Sequence, residues 1–276
     1  MKYIFFDIDG TLLDNSRGII ESTVLALEKA KAKGHKVFIN TGRSYAELGT
    51  GFKKFNFDGY VCAAGSYIKI GEEVIFDKEI PGARVKELVD LLRGLDLNYA
   101  LEGVQFTYFT EPVFQGFRER VYKAIEGILD MQPNGYEPYH YMLQPAFVRR
   151  EEEYYKEPTP IHKLLVYALG PKEIEELQKN LPDDYYLIVY GNFAELINKG
   201  INKATGIRAV LDHYKADIKD SIAIGDSLND LEMLKEAGIG IAMGNASDQV
   251  KAYSDLVAPH ILEDGIYRIL EDLDII

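Results

Sequence analysis

Phe5-Phe6-Asp7-Ile8-Asp9-Gly10-Thr11-Leu12-Leu13 is an apolar run that breaks into two carboxylates, a glycine and a hydroxyl. A strand that begins just after Met1 and stops on charged groups puts chemistry at the end of a core element. A carboxylate attacks an anionic target only when other groups neutralise both, so Asp7 and Asp9 imply another acid and a hard cation. Two further apolar runs end the same way. Val37-Phe38-Ile39-Asn40 leads into Thr41-Gly42-Arg43, which offers a hydroxyl, a tight turn and a guanidinium suited to phosphate. Ser221-Ile222-Ala223-Ile224 leads into Gly225-Asp226-Ser227-Leu228-Asn229-Asp230. Strands that release polar groups at their C-terminal ends describe an open parallel sheet, which binds ligands at that edge. Lys203, within Gly200-Ile201-Asn202-Lys203-Ala204-Thr205-Gly206 at the expected start of a helix, adds a fixed cation able to balance a phosphoryl group.

Taken together, these segments resemble the Cof-like branch of the haloacid dehalogenase (HAD) superfamily phosphatases. The pattern DxDGT[LV] matches Asp7 to Leu12, the threonine motif matches Thr41, the lysine motif matches Lys203, and GDxxND matches Gly225 to Asp230. The resemblance implies an α/β fold with a Rossmann-like parallel sheet core and an inserted α+β cap. It implies that Asp7 attacks phosphorus to form an aspartyl phosphate, and that Asp9 protonates the leaving alcohol and then deprotonates water. It implies that Thr41 and Lys203 hold phosphate oxygens, with Gly10, Gly42, Arg43 and Asn229 beside them. Asp7, the backbone carbonyl of Asp9, and Asp226 would ligate Mg²⁺, with Asp230 completing the metal surroundings.

The residues support these roles on their own chemistry. Mg²⁺ prefers oxygen ligands and is usually held by one or two carboxylates plus substrate phosphate, which suits Asp7 and Asp226. Asp9 lies two residues beyond Asp7, where a general acid and base is required. With Asn229–Leu234 helical, Asp230 opens that helix near its positive end, and Gly238 reads as its C-cap. Singly, each residue has a plainer reading: Asp9-Gly10 a turn, Thr41 and Asn229 caps, Lys203 a solvated side chain, Arg43 a partner for a structural acid. The conjunction carries the inference. One departure from the family pattern is Ala63-Ala64-Gly65-Ser66, where Cof-like sequences usually carry Asn-Gly-Ala. The loss of that amide is expected to alter the passage into the cap or a substrate contact, leaving the phosphoryl chemistry intact.

Composition narrows the alternatives. A chain of 276 residues with 47% hydrophobic content can bury a substantial core in one large or two moderate domains. A formal charge of −13 argues against nucleic acid and against an anionic membrane face. No apolar run is long enough to span a bilayer, and the N-terminal run meets Asp7 too early for a signal peptide, so a cytoplasmic protein is expected. Cys62 is the only cysteine and reads as a buried small hydrophobe. The five histidines show no zinc spacing, and neither a Walker nor a dinucleotide motif occurs.

The rhythm of strands and helices organises the chain. Strands near 3–8, 36–40 and 59–63 alternate with helices near 20–33 and 44–54, and the pattern resumes after about 198 with strands near 221–225, 239–242 and 255–258. Helices are predicted near 203–213, 229–237, 246–252 and 264–273. Asp7 and Asp226 must meet at one metal, so residues 1–81 and 193–276 form the core and 82–192 an insertion for substrate selection. Within the insertion, a helix over Val85–Leu92, a hairpin around Gly103, strands at Ile161–Ala168 and Tyr185–Tyr190, and a helix near 171–180 started by Pro171 are expected. Gly82 and Gly191 are the candidate hinges.

Twelve of the nineteen tyrosines fall in the insertion; packing a small core is the favoured reading over stacking on a substrate. Arg149 and Arg150 are candidates for a second anionic group, although Glu151-Glu152-Glu153 beside them suggests a solvated charge run. The expected ligand is a small-molecule phosphate ester: a sugar phosphate first, then pyridoxal phosphate, flavin mononucleotide or a nucleotide. A phosphotransferase or mutase would use the same residues, and a non-enzymatic phospho-receiver module is the alternative outside enzymes. The oligomeric state is open.

Overall fold

A computed structural model describes residues 1–14, 17–48, 52, 55–119 and 147–276. β1 (Tyr3–Phe6), β3 (Gly59–Cys62) and β12 (Ser221–Gly225) are buried at every position, and β2 (Lys36–Asn40) at all but its first. Strands covered on both faces must be apolar throughout, which is why these runs lack alternation. They join β13 (Ile239–Ala242), β14 (Leu256–Val257), β4 (Tyr67–Ile70) and β5 (Glu73–Asp77) in an eight-stranded sheet of order β14-β13-β12-β1-β2-β3-β4-β5. β1 lies between β12 and β2, parallel to both, with Phe6 opposite Ile224 and Ile39. That register brings the polar ends of all three motif strands to one edge. The antiparallel pair β4 and β5, which extends the sheet beyond β3, was not anticipated from the sequence.

Several expected elements are shorter than their patterns suggested. β1 stops at Phe6 because the chain turns through Ile8 to Leu13, closed by the Leu13 N–H donating to the Ile8 carbonyl at 2.8 Å. Of the helix expected over 44–54, Ala46–Leu48 forms a 3-10 turn and Phe52 is helical, and residues 49–51, 53 and 54 lie outside the described set. Helices occupy Glu21–Ala32, Lys203–Tyr214, Leu231–Glu236, Asp248–Lys251 and Gly265–Asp272. Gly238 is not the C-cap of Leu231–Glu236; Ala237 caps that helix in an extended conformation. Gly238 is required instead because a Cβ there would stand 2.6 Å from the Lys219 backbone. Cys62 is buried, as its apolar run requires.

Residues 1–43, 50–77 and 201–276 form one compact unit, and 44–49 with 78–200 form a second. The second unit contains a six-stranded sheet of order β10-β11-β9-β6-β7-β8. Its strands are β6 (Asn98–Gly103), β7 (Thr107–Phe109), β8 (Val148–Arg150), β9 (Ile161–Tyr167), β10 (Tyr185–Tyr190) and β11 (Phe193–Asn198). The expected hairpin around Gly103 pairs Leu101 with Tyr108, and Pro171 opens the helix Pro171–Asn180. The boundary placed at 192 falls at 200, since β11 pairs with both β9 and β10. Gly191 is consequently the turn of the β10–β11 hairpin. The helices Gly82–Gly94 and Pro171–Asn180 pack Val85, Leu88, Leu92 and Leu177 against one face of this sheet, with Tyr99, Tyr108, Tyr154 and Tyr185 inside the same cluster. Those tyrosines fill a core; Tyr136, Tyr139 and Tyr141 lie outside the described residues.

Candidate active site

In the first unit, the ends of β1, β2 and β12 and the start of the Lys203–Tyr214 helix converge on one charged cluster. Lys203 is its pivot. The side chain of Asn202 caps the helix by accepting from the Thr205 N–H at 2.9 Å, and the buried Asn40 amide donates to the Lys203 carbonyl at 3.0 Å. Lys203 is thereby fixed at the first helical position. Its ammonium, 1% exposed, lies 2.7 Å from Asp7 Oδ1, 2.6 Å from Asp230 Oδ1 and 3.3 Å from Asn229 Oδ1. Burial opposes its charge, but Asp230 and Asp7 outweigh that and raise its pKa. The Lys203 ammonium is therefore a permanent cation.

Carboxylates outnumber it. One oxygen each from Asp7, Asp226 and Asp230 lies within 4.8 Å of the others. Burial pushes the Asp7 carboxyl well above the usual range; Lys203 opposes this, while Asp230, Asp9 and Asp226 add to it. Burial and then Asp230 push Asp226 up to about 7. Acids held this far above their ordinary values are short of positive charge, the condition that a hard divalent cation relieves. The donor set is all oxygen, as Mg²⁺ requires. Gly10 shapes the space: its φ is +82°, and a Cβ there would stand 2.2 Å from Asp226 Oδ2, so only glycine lets the loop lie against that carboxylate. Asp7 and Asp226 are the better-placed ligands. Both Asp230 oxygens are engaged, Oδ1 by Lys203 and Oδ2 by the N–H groups of Asp226 at 3.0 Å and Ser227 at 2.9 Å.

The other expected residues surround this centre. Asp9 is turned toward Arg43, whose Nε and Nη2 lie 2.8 and 2.5 Å from its two carboxylate oxygens in a bidentate pair. The Thr41 hydroxyl, 1% exposed, accepts the Arg43 N–H at 3.2 Å, and Gly42 between them is buried. Asn229 Oδ1 also accepts from the Ser227 hydroxyl at 2.6 Å. The family departure falls beside this loop: Ala63 and Ala64 both have left-handed backbones, φ 48° and 53°. Their N–H groups donate to the carbonyls of Arg43 at 2.8 Å and Thr41 at 3.0 Å. This strained bend holds the Thr41–Arg43 loop, a conformation that alanine adopts at a cost and asparagine more readily.

Of four supporting residues, the sequence marked only the Thr11 hydroxyl, and without a role. Thr11 donates to Asp226 Oδ1 at 3.3 Å, and the Asn245 amide donates to the Gly10 carbonyl at 2.8 Å. Asn40 and Asn202 position Lys203. A sequence signal existed for Asn40 and Asn245: each is a polar residue at or just past the end of an apolar strand, the criterion that located Asp7 and Thr41.

Comparison with known proteins shows the family. Residues 4–270 match the sequence profile of the haloacid dehalogenase-like hydrolases. The Bacillus subtilis (strain 168) protein YkrA is 28% identical over 276 residues, covering 100% of this chain and 98% of its own. The 5-amino-6-(5-phospho-D-ribitylamino)uracil phosphatase YitU of the same organism is 29% identical, covering 98% of this chain and 96% of its own. A solved structure of a HAD subclass IIB sugar phosphatase superposes with a TM-score of 0.79 at 30% identity, covering both chains completely.

Proposed function

The chain belongs to the haloacid dehalogenase-like hydrolases, and from that premise we propose a Mg²⁺-dependent phosphatase that hydrolyses the phosphate monoester of a small cytoplasmic metabolite, a sugar phosphate foremost, through an aspartyl phosphate on Asp7. The observation that carries the reading is the Lys203 ammonium bridging Asp7 and Asp230, with Asp226 in the same cluster. A sugar phosphatase among the structural neighbours supports the choice of sugar. The second unit, entered at Lys78 and left after Gly200, is the candidate for substrate selection.

Asp7 and Asp226 would hold the cation, which when bound supplies charge neutralisation for the carboxylate and phosphoryl oxygens. The Asp7 carboxylate attacks phosphorus in line and the P–O bond to the alcohol breaks. Asp9 delivers its proton to the departing oxygen. In the second half, Asp9 takes a proton from water as that water attacks phosphorus, and the aspartyl P–O bond breaks to regenerate Asp7. Lys203 and Thr41 hold the phosphoryl oxygens. Arg43 pairs with both oxygens of the Asp9 carboxylate and orients it, and one of these contacts opens when Asp9 carries the proton. Asp230, braced by two backbone N–H groups, fixes Lys203.

Substituting Asp7→Asn removes the nucleophile. Turnover of an aryl phosphate should fall by at least about a thousandfold with the melting temperature preserved. Wild-type rates in that variant would eliminate Asp7 as the nucleophile. Release of free phosphate without an added alcohol separates hydrolysis from phosphotransfer.

A further inference from the structure

In the first unit, one side chain outside the charged cluster reaches its central turn from two strands away. β13 is followed by Met243-Gly244-Asn245, a loop whose backbone is tied on both sides. The Met243 N–H donates to the Gly225 carbonyl at 2.9 Å, and the Gly244 N–H to the Pro259 carbonyl at 3.2 Å. The Lys251 ammonium donates to the Gly244 carbonyl at 2.7 Å, and a Cβ on Gly244 would stand 2.5 Å from the His260 backbone nitrogen. The Asn245 side chain does not cap the helix that follows; Ser247 caps Asp248–Lys251. It joins two distant loops instead. Its Oδ1 accepts the Ile261 N–H at 3.2 Å, and its amide donates to the Gly10 carbonyl, 235 positions earlier, at 2.8 Å.

Gly10 is the tip of a turn whose own backbone bonds close on themselves. The Gly10 N–H donates to the Leu13 carbonyl at 2.9 Å, and the Thr11 and Leu13 N–H groups donate to the Ile8 carbonyl at 3.2 and 2.8 Å. Among the described residues, two hydrogen bonds tie Gly10 and Thr11 to neighbouring strands: the Asn245 amide to the Gly10 carbonyl, and the Thr11 hydroxyl to Asp226 Oδ1 at 3.3 Å. The first holds the peptide group that leads directly into the residue making the second. In the sheet, β12 lies between β13 and β1, so the bond from Asn245 to Gly10 spans the end of β12, immediately before Asp226. The space a Cβ would need at Gly10 is taken by the Asp226 carboxylate, so the turn lies directly against that group.

We propose that Asn245 is a positioning residue for the cation site: by holding the Gly10 carbonyl it keeps the Thr11 hydroxyl on Asp226 Oδ1, and so fixes the orientation in which Asp226, with Asp7, takes up the cation; this rests on the phosphatase reading above. A carboxylate free to rotate loses that freedom when it ligates a cation, and an outer partner that has already fixed it lowers the cost. An amide suits the task because one end donates to a carbonyl while the other accepts an N–H. Aspartate at 245 would keep the shape and the Ile261 contact, but would turn an oxygen toward the Gly10 carbonyl.

Isothermal titration calorimetry of the metal-free protein with Mg²⁺ alone tests this without turnover. Asn245→Ala and Thr11→Val should each raise the Kd for Mg²⁺ by about tenfold. Because the two residues act along one path, the double variant should also be about tenfold weaker, where independent effects would multiply to about a hundredfold. Asn245→Asp should weaken binding too, although its added negative charge by itself would strengthen it; this variant carries the test should the truncation not fold. The Mg²⁺ concentration that gives half-maximal aryl phosphate turnover should move with the Kd. A role confined to stability would lower the melting temperature and leave every Kd in place. An unchanged Kd in Asn245→Ala, independent effects in the double variant, or tighter binding in Asn245→Asp overturns the proposal, while Mg²⁺ binding and aryl phosphate turnover by the wild type leave the phosphatase reading standing. A wild-type protein that binds no Mg²⁺ removes both.

Discussion

Each unit buries one lysine among carboxylates, and the two clusters differ in how their members are assembled. In the first unit, Lys203 meets Asp7 and Asp230, residues that sit where a strand ends or a helix begins. In the second, Lys163 meets Glu102 and Glu195, and all three lie inside strands. Groups at strand ends are held by loops whose backbone N–H groups and glycines can be shaped around an ion, as at Gly10 and around Asp230. Groups in mid-strand are held by register alone, so their spacing is that of the pleat. The first arrangement suits chemistry at a charged centre. The second fixes a charge network within the sheet.

The largest effect that could break this comparison comes from removing each lysine. Lys203→Met and Lys163→Met should each destabilise the protein by about 3–5 kcal/mol, since each leaves buried carboxylates uncompensated. Their activities should part: Lys203→Met should lose aryl phosphate turnover by at least about a thousandfold, and Lys163→Met far less. Equal losses in both variants would mean that the two clusters are not functionally distinct.

Next in size is the dependence of stability on pH. Asp226 is raised to about 7 and Asp7 is raised as well, so the folded chain without metal binds protons more tightly than the unfolded chain. Stability contributed by those protonated carboxyls is present at low pH and lost as pH rises from the ordinary carboxylate range through about 7. In EDTA the melting temperature should fall over that range, and Mg²⁺ should restore more of it at pH 8 than at pH 5.5, because metal and protons compete for the same oxygens. Glu102, raised by burial in the second unit, should leave a residual slope that Mg²⁺ does not remove. An equal effect of Mg²⁺ at both pH values would remove the cation from the Asp7 and Asp226 cluster.

The smallest expected effect concerns left-handed alanines, and one from each unit makes the comparison. Ala64 and Ala168 have φ of 53° and 59°. Replacing either with glycine should stabilise the protein by about 0.5–1 kcal/mol in thermal unfolding. Only Ala64→Gly should change kcat, because the Ala64 N–H donates to the carbonyl of Thr41. A change in kcat from Ala168→Gly would show that the loop contact is not what transmits the effect.

The first cluster was legible in the sequence because Asp7, Thr41 and Asp226 each follow the end of an apolar run, and Lys203 stands at an expected helix start. What was misjudged there was local. Gly238 looked like a cap and proved to be a site of close backbone approach. The second cluster left no comparable mark. Glu102, Lys163 and Glu195 are single charged residues in strands of mixed pattern, 61 and 32 positions apart along the chain, and nothing local distinguishes them from solvent-facing alternation. The β4–β5 hairpin and β11 were missed for a similar reason, since short strands at a sheet edge or behind a glycine turn show little hydrophobic periodicity.

By itself the sequence determined the α/β core, the strand ends that carry polar groups, and the presence of an inserted second unit, because these depend on hydrophobic runs and on glycine and carboxylate placement that are local properties of the chain. The tertiary structure alone decided which charges face one another: that Arg43 holds Asp9, that Asp230 braces Lys203, and that Thr107, Glu102 and Lys163 form a row. Those pairings depend on sheet register and on burial, which sets the strength of every charge interaction, and both exist only once distant segments have packed together.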